Sequence, residues 1–310
     1  WFQNDGTLPW IDIAAQLGEA DVPVARKFWI RHLMPPQAIE WLDMALVDGR
    51  VKNGRAIITG DLDDWPFTGN NGRFEARADI DNGQLRFQHD WPAIQQARLH
   101  AAFIGPGMKV QGSGELSGVK VDAVTAEIAD FGKGGLAIGA NGRGDAAQLL
   151  TLLRQSPLEK TLGSTFQRVG ASGPADVTFS LFQPLHDDAP AQRIAGTVAL
   201  RGATLIEREL DLEFRNVSGM ANYDGEGFIA ERMSVQHDGH PGRLSLRAGQ
   251  PHVRDRDSAF EADLAATLTT QALLAKAPDM AWLQPYLQGS SEWTVAVALE
   301  ALVCGAQAVE

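Results

Sequence analysis

The stretch "DNGQLRFQHDWP", residues 81–92, carries the pattern that decides the fold. "DNG" predicts a tight turn. After it Leu85, Phe87 and His89 share one phase, Arg86, Gln88 and Asp90 share the other, and Trp91-Pro92 closes the run. Alternation with period two marks a strand with one apolar and one solvated face.

The same pattern recurs along most of the chain. Upstream, "RAIITGDL" groups Ala56, Ile58 and Gly60, and "GRFEARADI" groups Phe74, Ala76 and Ile80. Downstream, "ARLHAAFIG" groups Leu99 with Phe103, and "GMKVQGSG" groups Met108 with Val110. "VKVDAVTAEIAD" starts with Val119 and Val121 in phase and ends with Val124, Ala126 and Ile128 in the opposite phase, which predicts a bulge or corner near Asp122. Later runs carry Val177, Phe179 and Leu181, then Val198 and Leu200, then Leu210, Leu212 and Phe214 against Asp211, Glu213 and Arg215. Met233 with Val235, Leu244 with Leu246, and Phe260 with Leu264 follow, and Trp293, Val295, Val297 and Leu299 mark the last strand. Short connections imply antiparallel neighbours, and the spacing is too irregular for a fixed sequence repeat.

Helical patterns are few. "PPQAIEWLDMAL" places Ala38, Trp41, Leu42, Ala45 and Leu46 on one stripe, with "DG" at 48–49 expected to end it. "DAAQLLTLLRQ" carries a capping box, Asp145 with Gln148, and "SPLEKTLG" repeats that logic from Ser156 to Gly163. "QALLAKA" runs into Pro278. These helices are expected on an end or rim of the sheet. The domain reading is a mixed lead-in over 1–50, a sheet segment over 51–142, a helical pair over 143–163 that forms the seam, and a second sheet segment over 164–310 that continues beyond this stretch.

Composition narrows the function. The 310 residues hold 44% hydrophobic side chains, 32 glycines and 7% aromatics, a balance that suits strands, turns and small side chains. The net charge of −12 and the lack of any basic run argue against nucleic acid and against charge-driven attachment to anionic membranes. One cysteine, Cys304, excludes an internal disulfide and a cysteine metal cluster. The sequence starts at Trp1, so a piece of a longer product is expected.

No motif points to catalysis. "HDGHPG" at 237–242 is a close histidine pair without an evident third ligand, and it reads as a polar turn. "GSGELSG" at 112–118 resembles a phosphate loop in composition alone, because an alternating strand follows it where a helix is required. "DLDDWP" lacks the ligand spacing of a calcium loop, and "NVS" at 216–218 is a sequon inside a strand. No nucleophile motif or buried carboxylate pair stands out, so the expectation is a non-enzyme with no metal and no cofactor.

The order of these words is itself informative. "WLDMALVDGRVKNGRAIITGDLDDWPF", "GRFEARADIDNGQLRFQHDWPAI", "GMKVQGSGEL", "SPLEKTLG" and "SGPADVTFSLFQPL" resemble, in sequence, the YhdP family of the AsmA-like superfamily, from about Pro9 to at least Ser245. The resemblance implies a Gram-negative envelope protein of the periplasm, anchored to the inner membrane by a segment outside this stretch. It also implies a role in moving phospholipids between inner and outer membranes and in the outer-membrane barrier, with outer-membrane or periplasmic proteins as further partners. The fold it implies is an elongated, twisted antiparallel β-sheet curled into an apolar groove.

Together these readings give a mainly β fold with a few short helices. A sheet with one apolar face must cover that face, by closing, by packing on another layer or by curling around a ligand. The lining expected for a groove that binds phospholipid acyl chains is Ile58, Phe74, Leu85, Phe87, Leu99, Phe103, Met108 and Val110. It continues with Val177, Phe179, Leu181, Val198, Leu200, Leu210, Leu212, Phe214, Met233, Val235, Leu244, Leu246 and Leu264. Alternation alone favours a self-filled core, in which case the protein is a non-catalytic periplasmic scaffold or assembly module; the resemblance puts the groove ahead.

Overall fold

A computed structural model describes residues 6–28, 31, 36–69, 71–156, 159, 167–186, 188–208, 211–275 and 278–300. Most of these residues lie in antiparallel strands, and helices are few and short. The mainly β fold class expected from the alternation is therefore the one found. Two compact units divide the chain: residues 1–143 with 178–194, and residues 144–177 with 195–310.

The first unit contains β1 (Trp10–Leu17), β2 (Ala20–Asp21), α1 (Val22–Ala25) and α2 (Pro36–Ala45). The long strands β3 (Leu46–Asp61), β4 (Gly72–Leu85), β5 (Ile94–Ile104), β6 (Gly107–Leu116), β7 (Val119–Asp130) and β8 (Lys133–Asp145) follow. The hydrogen-bonded order is β1-β3-β4-β5-β6-β7-β8, and it does not return to β1. The second unit holds α3 (Ala146–Arg154), β9 (Val169–Ser172) and the start of β10 (Pro174–Pro184). Then come β11 (Arg193–Glu207), β12 (Leu212–Asp224), β13 (Phe228–His237), β14 (His240–Ala248), β15 (Ser258–Thr269), α4 (Thr270–Ala275) and β16 (Ser290–Glu300). Its strands β11 to β16 pair in chain order, with β9 alongside β11.

Two signals read as breaks are instead bulges inside strands. "DNG" does not turn the chain: Asn82 adopts φ 50° within β4, and the register against β5 shifts between Ile80 and Gly83. "DG" at 48–49 lies within β3, whose register against β4 shifts between Asp48 and Arg50, and α2 passes directly into that strand at Leu46. A single left-handed residue adds one unpaired position and bends the strand without reversing it. Chain reversal is made by other pairs, Ser117-Gly118 (φ 49° and 84°) between β6 and β7 and Asp238-Gly239 (φ 49° and 80°) between β13 and β14. Positive φ at both central positions is what a two-residue hairpin needs.

The bulges align across neighbouring strands. The corner read near Asp122 is present, with β7 shifting register between Val121 and Ala123. Gly83 pairs with Ala97, Gly114 with Val121, and Val121 with Gly142. A Cβ on Gly49 would come 2.7 Å from the Cα of Gly83, and one on Gly114 would come 3.4 Å from the Cα of Ala97. Glycines thus recur beside the bulges from β3 to β8, at Gly49, Gly83, Gly114 and Gly142, with Ala97 and Val121 between them. The second unit repeats the device: Ala203 pairs with Val217 between register shifts in β11 and β12, both side chains are fully buried, and β13 shifts between Ala230 and Met233.

After each bulge the apolar phase resumes on the same face. Val119 and Val121, then Ile128, are buried, while Lys120 and Glu127 are exposed. In the first unit this face packs as Met108, Ile128, Leu136, Ile138 and Leu181. In the second it packs as Ala203, Phe214, Val217, Ala230, Met233, Val235 and Leu244.

The helices cover part of the apolar face. Asp145 caps α3 through the box with Gln148, and its second oxygen accepts the Gly173 N–H at 2.9 Å. That bond ties the helix start to the turn before β10. Leu150 and Leu153 then press on Ala248, Phe260 and Phe228, at one end of their strands. The hydroxyl of Ser156, just beyond α3, donates to the Leu153 carbonyl at 2.8 Å. The second helix of the expected pair lies outside the described residues, apart from Ser156 and Glu159.

Candidate functional site

The candidate site is the apolar face of each unit, taken separately. In the first unit Ile58, Leu99 and Met108 are buried, and Phe74, Leu85, Phe87, Phe103 and Val110 are half-buried. Phe179 is half-buried and Leu181 buried, and both belong to this unit's cluster. In the second unit Phe214, Met233, Val235 and Leu244 are buried, and Val177, Val198, Leu200, Leu212, Leu246 and Leu264 are half-buried. Leu210 lies outside the described residues. The alternation places these side chains on one surface because the pleat sends every second residue to the same face. That placement serves a self-filled core and an open trough alike; what differs is how much of each side chain neighbours cover.

Coverage is uneven. Leu244 retains 1% of its accessible surface and Val217 none, so the centre of the second unit is packed to completion. Around them Leu246 and Leu264 pack against the buried cluster and remain half-exposed. At the edge of the first unit, Ile13 sits opposite the buried Ile58 on the same face and is 52% exposed, because β1 has a strand partner on one side alone among the described residues.

The first unit also carries an aromatic group that the alternation did not foretell. Residues 86–92 leave the strand, since β4 ends at Leu85. Phe87 nevertheless packs on the cluster, while His89, read in phase with it, is exposed. Trp91 is buried between Phe87 (ring centroids 5.4 Å) and Phe179 (5.7 Å). Trp41 of α2 packs on the same cluster, and its indole N–H donates to the Phe87 carbonyl at 3.1 Å. In the sequence Trp91-Pro92 closes the strand run; the burial of Trp91 depends on a loop folding back over the sheet, which no local pattern encodes.

The opposite face is charged and cross-linked. Arg73 and Arg77 both donate to Glu75, and these bonds hold its carboxyl below the usual range. Arg215 does the same to Glu213 through two 3.0 Å bonds. Asp211, Glu213 and Arg215 are exposed, as their phase predicts. Arg86 and Gln88, expected in solvent, are half-buried because they belong to the loop that folds over the sheet.

Every lining residue named from the alternation is apolar, and the second unit adds a charge beside them. Glu207 lies directly opposite Leu212 on the same face, and its carboxylate pairs with Arg168 at 3.6 Å. The two histidines of the "HDGHPG" turn stand opposite each other across the β13–β14 hairpin; the Nδ1 of buried His237 contacts the Glu213 carbonyl oxygen at 2.9 Å, and its ring lies against Phe214. Among the described residues no group of three or more His, Cys, Asp or Glu is placed to hold a metal ion. Among the same residues no helix is long and apolar enough to cross a membrane.

Comparisons with known proteins agree with this geometry. The family model described as YhdP protein matches residues 2–302. Over 234 residues the chain is 27% identical to the intermembrane phospholipid transporter YhdP of Escherichia coli (strain K12), which covers 75% of this chain and 18% of the relative. The chain thus spans about a fifth of the length of that relative. No solved structure matches it. A family match over nearly its entire length, on a sheet whose strands carry one apolar phase past every bulge, places this chain in the YhdP family.

Proposed function

We propose that this chain is part of a periplasmic lipid conduit that carries phospholipids between inner and outer membranes. The acyl chains lie on the apolar face, and the headgroup stays toward water. The observation that carries the reading is incomplete coverage: within each unit the apolar phase continues from strand to strand, and many of its large side chains stay half-exposed. Each buried methylene of an acyl chain contributes about 0.8 kcal/mol, so a trough of this kind holds lipid by area, with no catalytic group. Family membership, and the phospholipid transport in the name of the relative, support the same reading. In the whole protein, a segment outside this stretch supplies the inner-membrane anchor, and outer-membrane or periplasmic proteins meet the ends.

A second reading, a scaffold with a self-filled core, draws on the aromatic group over the first unit and the fully buried Met233, Leu244 and Val217. Site-specific photocrosslinking in cells separates the two. A photoreactive residue at Phe103, Val110 or Leu264 should capture phospholipid, and one at the exposed neighbours Lys109, Gln111 or Ala265 should not. Equal capture from both faces, or none from either, rejects the conduit.

A further inference from the structure

We propose that Arg86 is a headgroup-reading residue: its guanidinium binds the phosphate of a phospholipid whose acyl chains lie against the aromatic group of the first unit. The inference rests on the conduit reading and adds a specificity residue to it.

The starting observation is an arginine whose Nε has no hydrogen-bond partner among the described residues. The chain carries a net charge of −12, and its cations are largely tied to carboxylates: Arg50, Arg73, Arg77, Arg143, Arg215, Arg247 and Arg254 all make ion pairs on the charged face. Arg86 is half-buried, its Nε is shielded from solvent, and among the described residues that nitrogen has no hydrogen-bond partner. A charged donor withdrawn from water and left unbonded is costly, and native proteins rarely keep one without a use. The position offers a structural use, since a cation is favourable at the C-terminal end of a helix such as α2. There, however, the backbone makes the contact: the Arg86 N–H donates to the Ala45 carbonyl at 2.8 Å.

The neighbours define the ligand. Leu85 precedes Arg86 as the last residue of β4, and Phe87 follows it into the group with Trp41, Trp91 and Phe179. One residue step therefore separates a guanidinium from an apolar surface. That juxtaposition suits an amphiphile with an anionic head and an apolar body. Guanidinium matches phosphate in charge and in its fork of donors. At a half-buried site, a charge-assisted bond of this kind gives a preference on the order of tenfold over the same lipid lacking phosphate. That is enough to select phospholipid and weak enough to release it along the path.

The test compares the full chain's binding of a short-chain phosphatidylglycerol with that of the diacylglycerol bearing the same chains, with inorganic phosphate as a third probe. Wild type should prefer the phospholipid by about tenfold, and added salt should erode that preference without touching diacylglycerol binding. Arg86→Gln should bring the two lipids level while keeping diacylglycerol binding, and Arg86→Lys should retain part of the preference. An unchanged preference in Arg86→Gln overturns the inference and leaves the conduit standing. Should that variant fail to fold, a salt-insensitive preference in the wild type overturns it equally. Inorganic phosphate binding as tightly as the phospholipid would assign the guanidinium to a free anion and reject the headgroup role. Failure of wild type to bind either lipid removes the conduit reading and the inference with it.

Discussion

Replacing Leu264 with Asp places a carboxylate on the apolar face with no cation beside it. Leu264 pairs across the sheet with buried Leu244 and half-buried Val295, packs against the second-unit cluster and is itself half-exposed. Fully burying a leucine is worth roughly 1.5–3 kcal/mol, so losing a half-buried one costs about 1–1.5 kcal/mol of stability. The new carboxylate keeps part of its hydration in the empty protein, and the fold should survive. With an acyl chain laid across it, that hydration is lost, and burying the unpaired charge costs several kcal/mol. Protonation sets a ceiling: neutralising a carboxyl of ordinary pKa, about 3.9, at about pH 7 costs about 4 kcal/mol. Lipid binding should therefore fall by roughly two to three orders of magnitude at about pH 7. At about pH 5 the ceiling drops to about 1.5 kcal/mol, and the loss should shrink to roughly tenfold. Ala265→Asp puts the same charge one residue later on the exposed face, opposite Arg243, and should bind as wild type does. Leu264→Asn separates loss of apolar area from charge and should show no recovery on acidification. The measurement is equilibrium binding of a fluorescent phospholipid at both pH values, with thermal unfolding as the control on folding. Folded Leu264→Asp that binds lipid normally at neutral pH would refute the claim that a chain passes over this residue, and so would equal losses in the 264 and 265 variants.

Acid should loosen one loop before the rest of the second unit. Burial opposes the charge on Glu261, but its bonds from the Asp255 N–H, the Arg254 guanidinium and the Arg254 N–H prevail and hold its carboxyl below the usual range. The folded form thus gains stability above the ordinary glutamate pKa of 4.5 and loses it as the pH falls from there through the depressed value. Amide exchange at Arg254 and Asp255 should accelerate across that acid window, and Glu261→Gln should show fast exchange already at neutral pH; slow exchange in that variant would contradict the pinning role. Gly49→Ala tests the bulge row: with φ at 129° and the new Cβ 2.7 Å from the Gly83 Cα, it should destabilise by about 1–3 kcal/mol. Gly139→Ala, in open space on β8, should be nearly neutral by comparison in denaturant titration.

The strands were legible in the sequence because the pleat has period two and each strand is wet on one face. Leu210, Leu212 and Phe214 against Asp211, Glu213 and Arg215 declare a sheet with no knowledge of its neighbours. The Val121–Val124 phase slip declared a bulge for the same reason, since a fixed inner face forces the sequence to skip a residue. The capping box of α3 was legible because all its partners lie within four residues. What only the tertiary structure decided is everything that depends on residues far apart in the chain. "DNG" and "DG" contain the residues of a turn, and whether a left-handed residue turns the chain or bulges a strand depends on the neighbouring strand that continues alongside it. Trp91 and Arg86 looked like a stop and a solvated charge; a loop folding onto strands from elsewhere buried the first and half-buried the second, whose Nε has no partner among the described residues. The Arg168–Glu207 pair beside Leu212 joins residues nearly forty positions apart. Alternation tells each side chain which face it belongs to, because that is local stereochemistry; how fully the face is covered is set by which distant elements arrive there.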